Sequence, residues 1–399
     1  MKNKMKNKMV ITIAGSLVIS IVIGVLLQGN AQLANMFSPL GTIYLNLIKM
    51  IMVPLVFTSL VLGVANIGDL HKLGKLGILT IIIFLSTTSI AVITGIVLSK
   101  VFQPGLGITL ASETYEVKEF PSVIDTFVGI VPSNPLGALV EGNMLQIIFF
   151  AIVLGIGIVN VGKKGEYLKN VMDSLYEVIS EITKGVMYLT PLGILGLMIP
   201  VVASNGLSVL LPLLKVILVF YLGVAIHIGL VYCFLLKKFT RYSIKEFFKK
   251  MFPALVVGFT TCSSSATLPV SLKQIQNELK VSKDVSSFVL SLGATINMDG
   301  NALYQGIVAL FVAQAYGVDL TFTNMFMIVL TGTLASIGAA GVPGAGMIVL
   351  STVLMSVGLP VDGIVIVAGI DRILDMGRTM INICGDAVTA TIVDNYINN

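Results

Sequence analysis

Runs of about 20 apolar residues recur along the whole of this chain, and a helix needs about that many to cross the roughly 30 Å hydrocarbon core of a bilayer. Of its 399 residues, 56% are hydrophobic and 11% charged, where soluble domains carry about 25% charged residues. Length alone would suggest about two or three soluble domains. Hydropathy overrides that division and predicts an all-α integral membrane protein of many spans, because a spanning segment has no water to satisfy its backbone and must pair its own N–H and C=O groups.

The net charge of +5 resides largely in lysines gathered into short patches between apolar runs. That is the positive-inside pattern, and it points to membrane lipid as a partner and away from nucleic acid. Lys2, Lys4, Lys6 and Lys8 look like the start of a signal peptide, but the run 9–27 is longer than its apolar region and has no A-x-A cleavage site. A retained first helix is expected. Cys233, Cys262 and Cys384 lie in apolar surroundings with neither a disulfide framework nor a paired metal spacing. His71 and His227 stand alone in the sequence, which argues against a His-ligated metal.

Six ordinary spans are read at 9–28, 38–67, 73–102, 134–161, 170–203 and 206–236, the second and fifth long enough to tilt or bend, with Pro54 and Pro191 as candidate kinks. Basic patches at 71–75, at Lys163, Lys164 and Lys169, and at 237–250 fall on the same side as the N-terminus, the cytoplasm. The segment 103–133, with Glu113, Glu116, Glu119 and Asp125, falls outside. Residues 251–272 then break the pattern. Lysines flank both ends, so both ends belong inside, yet the stretch is too short to cross twice. Its centre, Thr260-Thr261-Cys262-Ser263-Ser264-Ser265 with Pro269 beyond, reads as a re-entrant hairpin, tolerable only where protein or a wet cavity satisfies its backbone.

Between Asp284 and Asp371 there is no Lys or Arg. That region predicts an apolar helix containing Asn297-Met298-Asp299-Gly300, a second interrupted segment at 322–356 centred on 338–346, and a last helix at 361–394 that returns the C-terminus to the cytoplasm. Ser264 precedes Asn297 by 33 residues, and Val342 precedes Asp375 by 33. Hairpin followed by polar helix therefore occurs twice, in opposite orientations, and such inverted repeats with interrupted segments mark the binding site of a transporter.

On the last helix Asp371, Asp375, Arg378, Thr379, Asn382 and Asp386 recur mostly at steps of three or four, so they form one stripe. Each charge costs at least about 2.5–3.5 kcal/mol at a membrane helix centre, so the stripe must face partners, not lipid. One reading is that Asp375 and Arg378 simply pair with each other, leaving Asp299 and Asp386 unaccounted for. The functional reading gives Arg378 a carboxylate to fork, Asp375 an ammonium, and the oxygens of Asp299, Asp386, Asn297 and Asn382 a hard cation. Hairpin tips present free N–H groups to a second carboxylate.

The segments Ser263-Ser264-Ser265-Ala266-Thr267-Leu268-Pro269, Asn297-Met298-Asp299-Gly300, Gly341-Val342-Pro343-Gly344-Ala345-Gly346 and Asp375-Met376-Gly377-Arg378-Thr379 resemble the signatures of the glutamate transporter family, the dicarboxylate/amino acid:cation symporters. The resemblance runs end to end, in order and at matching spacing, and is nearest to the prokaryotic sodium-coupled aspartate and glutamate transporters. It implies eight transmembrane helices plus two re-entrant helical hairpins, an elevator-type movement, a homotrimer, and a prokaryotic plasma membrane. Scaffold helices 1 and 2 would occupy 1–72, and helix 3 of the transport part with an extracellular loop 73–133. Scaffold helices 4 and 5 with transport helix 6 would take 134–236, and hairpin 1, helix 7, hairpin 2 and helix 8 would form a core transport domain at 244–399.

By the same resemblance, an acidic amino acid would meet Cys262, Ser263, Ser264, Asn301, Val342, Gly346, Asp375, Arg378, Thr379 and Asn382. Co-transported sodium ions, with no organic cofactor, would use Gly293, Asn297, Asn382 and Asp386 at one position and Thr295, Met298, Ser336, Ile337 and Ala339 about a second. Thr87, Thr88, Asp299 and Asn297 would form a third. The chain departs from the family pattern in four respects, at five positions. Asn301 replaces a threonine beside the substrate side chain. Cys262 and Met376 occupy the two alternative arginine positions, Phe84 stands for a tyrosine near the third sodium, and Gln305 stands where animal members carry a protonatable glutamate. The resemblance thus implies a symporter of aspartate or glutamate driven by sodium. Alternatives are a proton-coupled carrier, or a sodium-coupled carrier of another polar amino acid such as cystine. An intramembrane aspartyl protease is disfavoured because Ile383 stands where its Gly-x-Gly-Asp signature needs glycine. A dedicated channel would have no use for two closed hairpins.

Overall fold

The computed structural model describes residues 2–69, 75–107, 128–337 and 344–397, and among them every regular element is helical. The first half holds α1 (Lys2–Leu26), the short α2 (Ala31–Asn35), α3 (Ser38–Asp69) and α4 (Lys75–Phe102), then α5 (Pro135–Glu141), α6 (Met144–Val161), α7 (Lys163–Tyr188) and α8 (Thr190–Asn205). Pro54 lies inside an unbroken α3. The expected fourth span is broken, because Gly142 takes a left-handed cap at φ 70° and Asn143 immediately caps the next helix through its side chain. The expected fifth span also divides. Pro191 sits in the first turn of α8, where its missing N–H costs nothing, and the charged, amphipathic α7 ends before it.

Next come α9 (Leu210–Ile226), a single π-helical stretch (His227–Tyr232) and α10 (Cys233–Phe239). The first hairpin is α11 (Ile244–Thr261) and α12 (Ser264–Asn277). It begins before the expected 251 because Ser243 caps it by accepting from the Glu246 N–H, and Glu246 bridges Lys250 at 2.7 Å. Lysines thus ride on the first turns of the arm; they do not bound it. The polar helix is in two pieces, α13 (Lys283–Ile296) and α14 (Asp299–Ala315). Asn297 (φ −88°, ψ 89°) and Met298 (φ −119°, ψ 50°) between them are not helical. The second hairpin is α15 (Phe322–Ile337) and α16 (Ala345–Ser356), and its apex, 338–343, lies outside the described residues. Finally α17 (Ile364–Ala368) precedes α18 (Asp371–Ile397).

Two unbroken described helical stretches are long and apolar enough to cross a bilayer, Lys75–Phe102 and Leu210–Phe239, with shorter apolar helices at Gly15–Leu26, Val53–Ala65, Gln146–Val161, Thr190–Ser204, Phe322–Ile337 and Gly346–Ser356. The 28 residues of α4 rise about 42 Å, more than the roughly 30 Å hydrocarbon core.

The largest hydrophobic cluster joins α4, α9 and α10 with both hairpins, α13, α14, α17 and α18; Ile194, Met198 and Val202 of α8 reach into it. Separate smaller clusters join α3 with α6 and parts of α5, α7 and α16. At the centre, α18 packs against α4, α11, α13 and α14. It is tied at both ends: the Tyr221 hydroxyl donates to the Ile373 carbonyl at 2.7 Å, and Ser282 donates to Asp394 at 2.7 Å. The α4–α14 crossing depends on small residues. A Cβ on Gly306 would lie 2.5 Å from the Val92 carbonyl, and one on Gly95 2.5 Å from the Leu303 carbonyl. Close backbone approach of this kind is how membrane helices gain contact without a hydrophobic drive. Gly306→Val is therefore expected to destabilise the protein by about 1–3 kcal/mol through overpacking. An unchanged melting temperature in detergent would show that the crossing is loose.

Candidate functional site

The site is built on the first half of α18. Asp371 lies in its first turn, where the helix N-terminus favours a carboxylate. Arg378 has no exposed surface. Its Nη2 lies 2.9 Å from an oxygen of Asp371 and 2.9 Å from an oxygen of Asp375, and its Nε donates to the same Asp375 oxygen at 3.2 Å. The ring of Tyr304 stacks on the guanidinium at 4.3 Å. The simple pairing of Asp375 with Arg378 is thus present, but it is not the whole arrangement, because Asp371 shares the cation. Nη1 finds no hydrogen-bond partner among the described residues.

What Nη1 faces is the second hairpin. A Cβ on Gly346 would come within 2.6 Å of it and within 3.2 Å of the Asn301 amide oxygen. Gly344, left-handed at φ 81°, donates its N–H to the other oxygen of Asp375 at 3.1 Å. Glycine is needed at both places, for conformation at 344 and for room at 346. Arg378, Asp375, Asn301 and Gly346 therefore converge. Val342 and Ala339 lie outside the described residues.

The non-helical link 297–298 meets α18 one turn further on. Asn297 donates from Nδ2 to Asp386 at 2.9 Å and to the Asn382 carbonyl at 3.2 Å, while its buried Oδ1 has no partner among the described residues. Asn382 accepts from the Gly300 N–H at 2.7 Å and places its amide 3.1 Å from the Met298 sulfur. Gly293 lies against Asp386, since a Cβ there would be 2.1 Å from its oxygen. Met298 packs with Ala335 and Val349, which brings the arms of the second hairpin, and with them buried Ser336 and Ile337, to the same link. Ser336 and Thr295 turn their hydroxyls to backbone carbonyls of their own helices. This is a set of hard oxygens, one of them unpartnered and buried, of the kind an alkali cation requires.

Asp299 forms a third focus. Thr88 of α4 donates to one of its oxygens at 2.6 Å, and Tyr232 donates to the other at 2.7 Å, with His227 Nε2 3.3 Å away. His227, isolated in the sequence, is therefore buried against a carboxylate. Thr87 is buried but turns its hydroxyl to the Phe84 carbonyl, and the Phe84 ring lies beside Gly293.

Hairpin 1 turns in two residues, Cys262 in a left-handed conformation at φ 53° and Ser263 capping α12 through its side chain. Ser264 is buried at that apex. The hairpin joins the stripe by packing, as a Cβ on Gly258 would meet Ile383 and the methyl of Thr379. Direct hydrogen bonds of the described structure link the site to hairpin 2 but not to Ser264. Sequence reasoning missed Tyr304, Tyr232 and His227 as members of these groups. Tyr304 had a signal, since it lies one turn from Asn301; the other two had none. An apolar cavity of about 510 Å³ near Leu79, Lys238 and Tyr396 lies apart from all of them.

A family model described as the sodium:dicarboxylate symporter family matches residues 9–396. The chain is 37% identical over 390 residues to the proton/sodium-glutamate symport protein of Geobacillus stearothermophilus, covering 95% of this chain and 92% of that one. It is 36% identical over 372 residues to the proton/glutamate-aspartate symporter of Escherichia coli strain K12, covering 90% and 85%. Identity to the C4-dicarboxylate transport protein of Edwardsiella ictaluri is 31% over 400 residues, covering 98% and 93%. With a polar stripe buried among helices and a family match across nearly its whole length, this chain is a membrane protein that belongs to the sodium:dicarboxylate symporter family of secondary transporters.

Proposed function

We propose that the protein carries aspartate or glutamate across the plasma membrane together with sodium ions. The observation that carries this reading is the fully buried Arg378 with one guanidinium nitrogen free beside Gly346 and Asn301. A carboxylate on the substrate side chain would take that donor. The ammonium group would compete with the Gly344 N–H for Asp375, so substrate binding and hairpin 2 would act on the same carboxylate. The α-carboxylate would meet Ser263, Ser264 and the backbone at Cys262 and Val342, with Thr379 and Asn382 alongside. Sodium would take the oxygens of Asp386, Asn297, Asn382 and the Gly293 carbonyl. The carbonyls of Thr295, Ser336, Ile337 and Ala339 near Met298 would offer a second position, and Asp299, Thr87 and Thr88 a third.

Eight membrane helices with two hairpins, both termini cytoplasmic, form the accompanying architecture. The division of the apolar contacts supports an elevator movement, with α4, α9, α10 and both hairpins in one cluster and α3, α6 and α7 in others. A trimeric scaffold belongs to the same reading.

Proton coupling is the second reading, favoured by relatives named for proton-linked glutamate transport. Uptake of labelled aspartate into proteoliposomes with an imposed sodium or proton gradient separates them. Accumulation is expected with the sodium gradient. Equal uptake with sodium absent, driven by protons alone, would overturn sodium coupling.

A further inference from the structure

Asp299 has no exposed surface, and a buried carboxylate must be compensated by close donors or a cation. Thr88 satisfies one oxygen. The other is met from the π-helical stretch His227–Tyr232. On an α-helix, residues five apart point about 140° away from each other, so these two side chains could not share an acceptor. The wider π turn brings i and i+5 toward one side, and the two rings meet edge to face with centroids 4.8 Å apart. A donating His227 Nε2 leaves its Nδ1, which has no partner among the described residues.

The Tyr232 hydroxyl has a single hydrogen and two acceptors in reach, Asp299 at 2.7 Å and the Ile381 carbonyl at 3.2 Å. Ile381 immediately precedes Asn382 on α18. We propose that Tyr232 and His227 are built-in counter-donors for Asp299, holding its carboxylate while no cation lies beside it. When a cation arrives, the Tyr232 hydrogen turns to the Ile381 carbonyl. The two side chains are positioning residues for the return of the empty carrier, the step in which Asp299 crosses the membrane without its ion. The inference rests on the carrier reading above, since only a carrier must move its site back unloaded.

Tyr232→Phe keeps the ring and removes the hydroxyl. Loss of a hydrogen bond to a buried charge is expected to slow net aspartate uptake about tenfold more than exchange of internal for external aspartate, because exchange omits the empty return. The sodium concentration for half-maximal substrate binding is expected to fall several-fold, since the empty site is the state destabilised. His227→Gln, which keeps an N–H, is expected to retain more net uptake than His227→Leu. Equal losses of net uptake and exchange, or a raised sodium requirement, would overturn the inference and leave Tyr232 a packing residue. The ratio of net uptake to exchange judges the inference whichever ion drives uptake. A wild-type protein that carries no acidic amino acid would instead remove the carrier reading on which it stands.

Discussion

Arg378→Ala is expected to lower aspartate uptake at least about a hundredfold and to destabilise the protein by about 3–5 kcal/mol, the cost of stripping one partner from a buried ion pair. Both effects follow from one arrangement. Arg378 compensates Asp371 and Asp375 together, each 2.9 Å from Nη2, and its Nη1 has no hydrogen-bond partner among the described residues. Removing it abandons two buried carboxylates at once. The two effects are separable. In Arg378→Ala combined with Asp371→Asn, one of the orphaned charges is gone, so the melting temperature in detergent is expected to recover in part while aspartate uptake stays lost. Recovery of aspartate uptake in the double variant, or unchanged aspartate affinity in the single one, would take Arg378 out of the substrate site.

Asp386→Asn is expected to raise the sodium requirement for substrate binding about tenfold or more, because the charge count of an oxygen site shifts cation affinity over decades. The carboxamide still offers an oxygen to the Asn297 Nδ2 that Asp386 accepts from at 2.9 Å, so the fold is expected to persist and the effect to be confined to the ion. Gly293→Ala should act in the same direction, since its Cβ would stand 2.1 Å from the Asp386 oxygen and force the carboxylate aside. Titration of substrate binding against sodium measures both. A sodium dependence matching the wild type in Asp386→Asn would place the ion elsewhere.

The all-helical character of the chain was readable from its sequence. Apolar runs of membrane length, lysine patches on alternate loops and the polar, proline-punctuated interruptions are local properties. Local properties survive in a one-dimensional record. The stripe from Asp371 to Asp386 was equally plain, because helical periodicity alone puts residues three and four apart on one face. Where helix boundaries differed, the reason was also local but subtler. Ser243 caps α11 ahead of its lysines, and Gly142 with Asn143 breaks an otherwise continuous apolar span.

Partnership across the fold was not readable. Asp299 and Asp386 looked equally unaccounted for in the sequence, yet one is held by a threonine, a tyrosine and a histidine and the other by an asparagine. His227 lies 72 residues from the carboxylate it touches. Nothing in its sequence neighbours announces the π turn, which packs against α4 and α18. By itself, the sequence determined that the chain must live in a bilayer and which side chains are too costly to face lipid. Only the tertiary structure decided which of those side chains meet, because a buried charge chooses partners by distance in space.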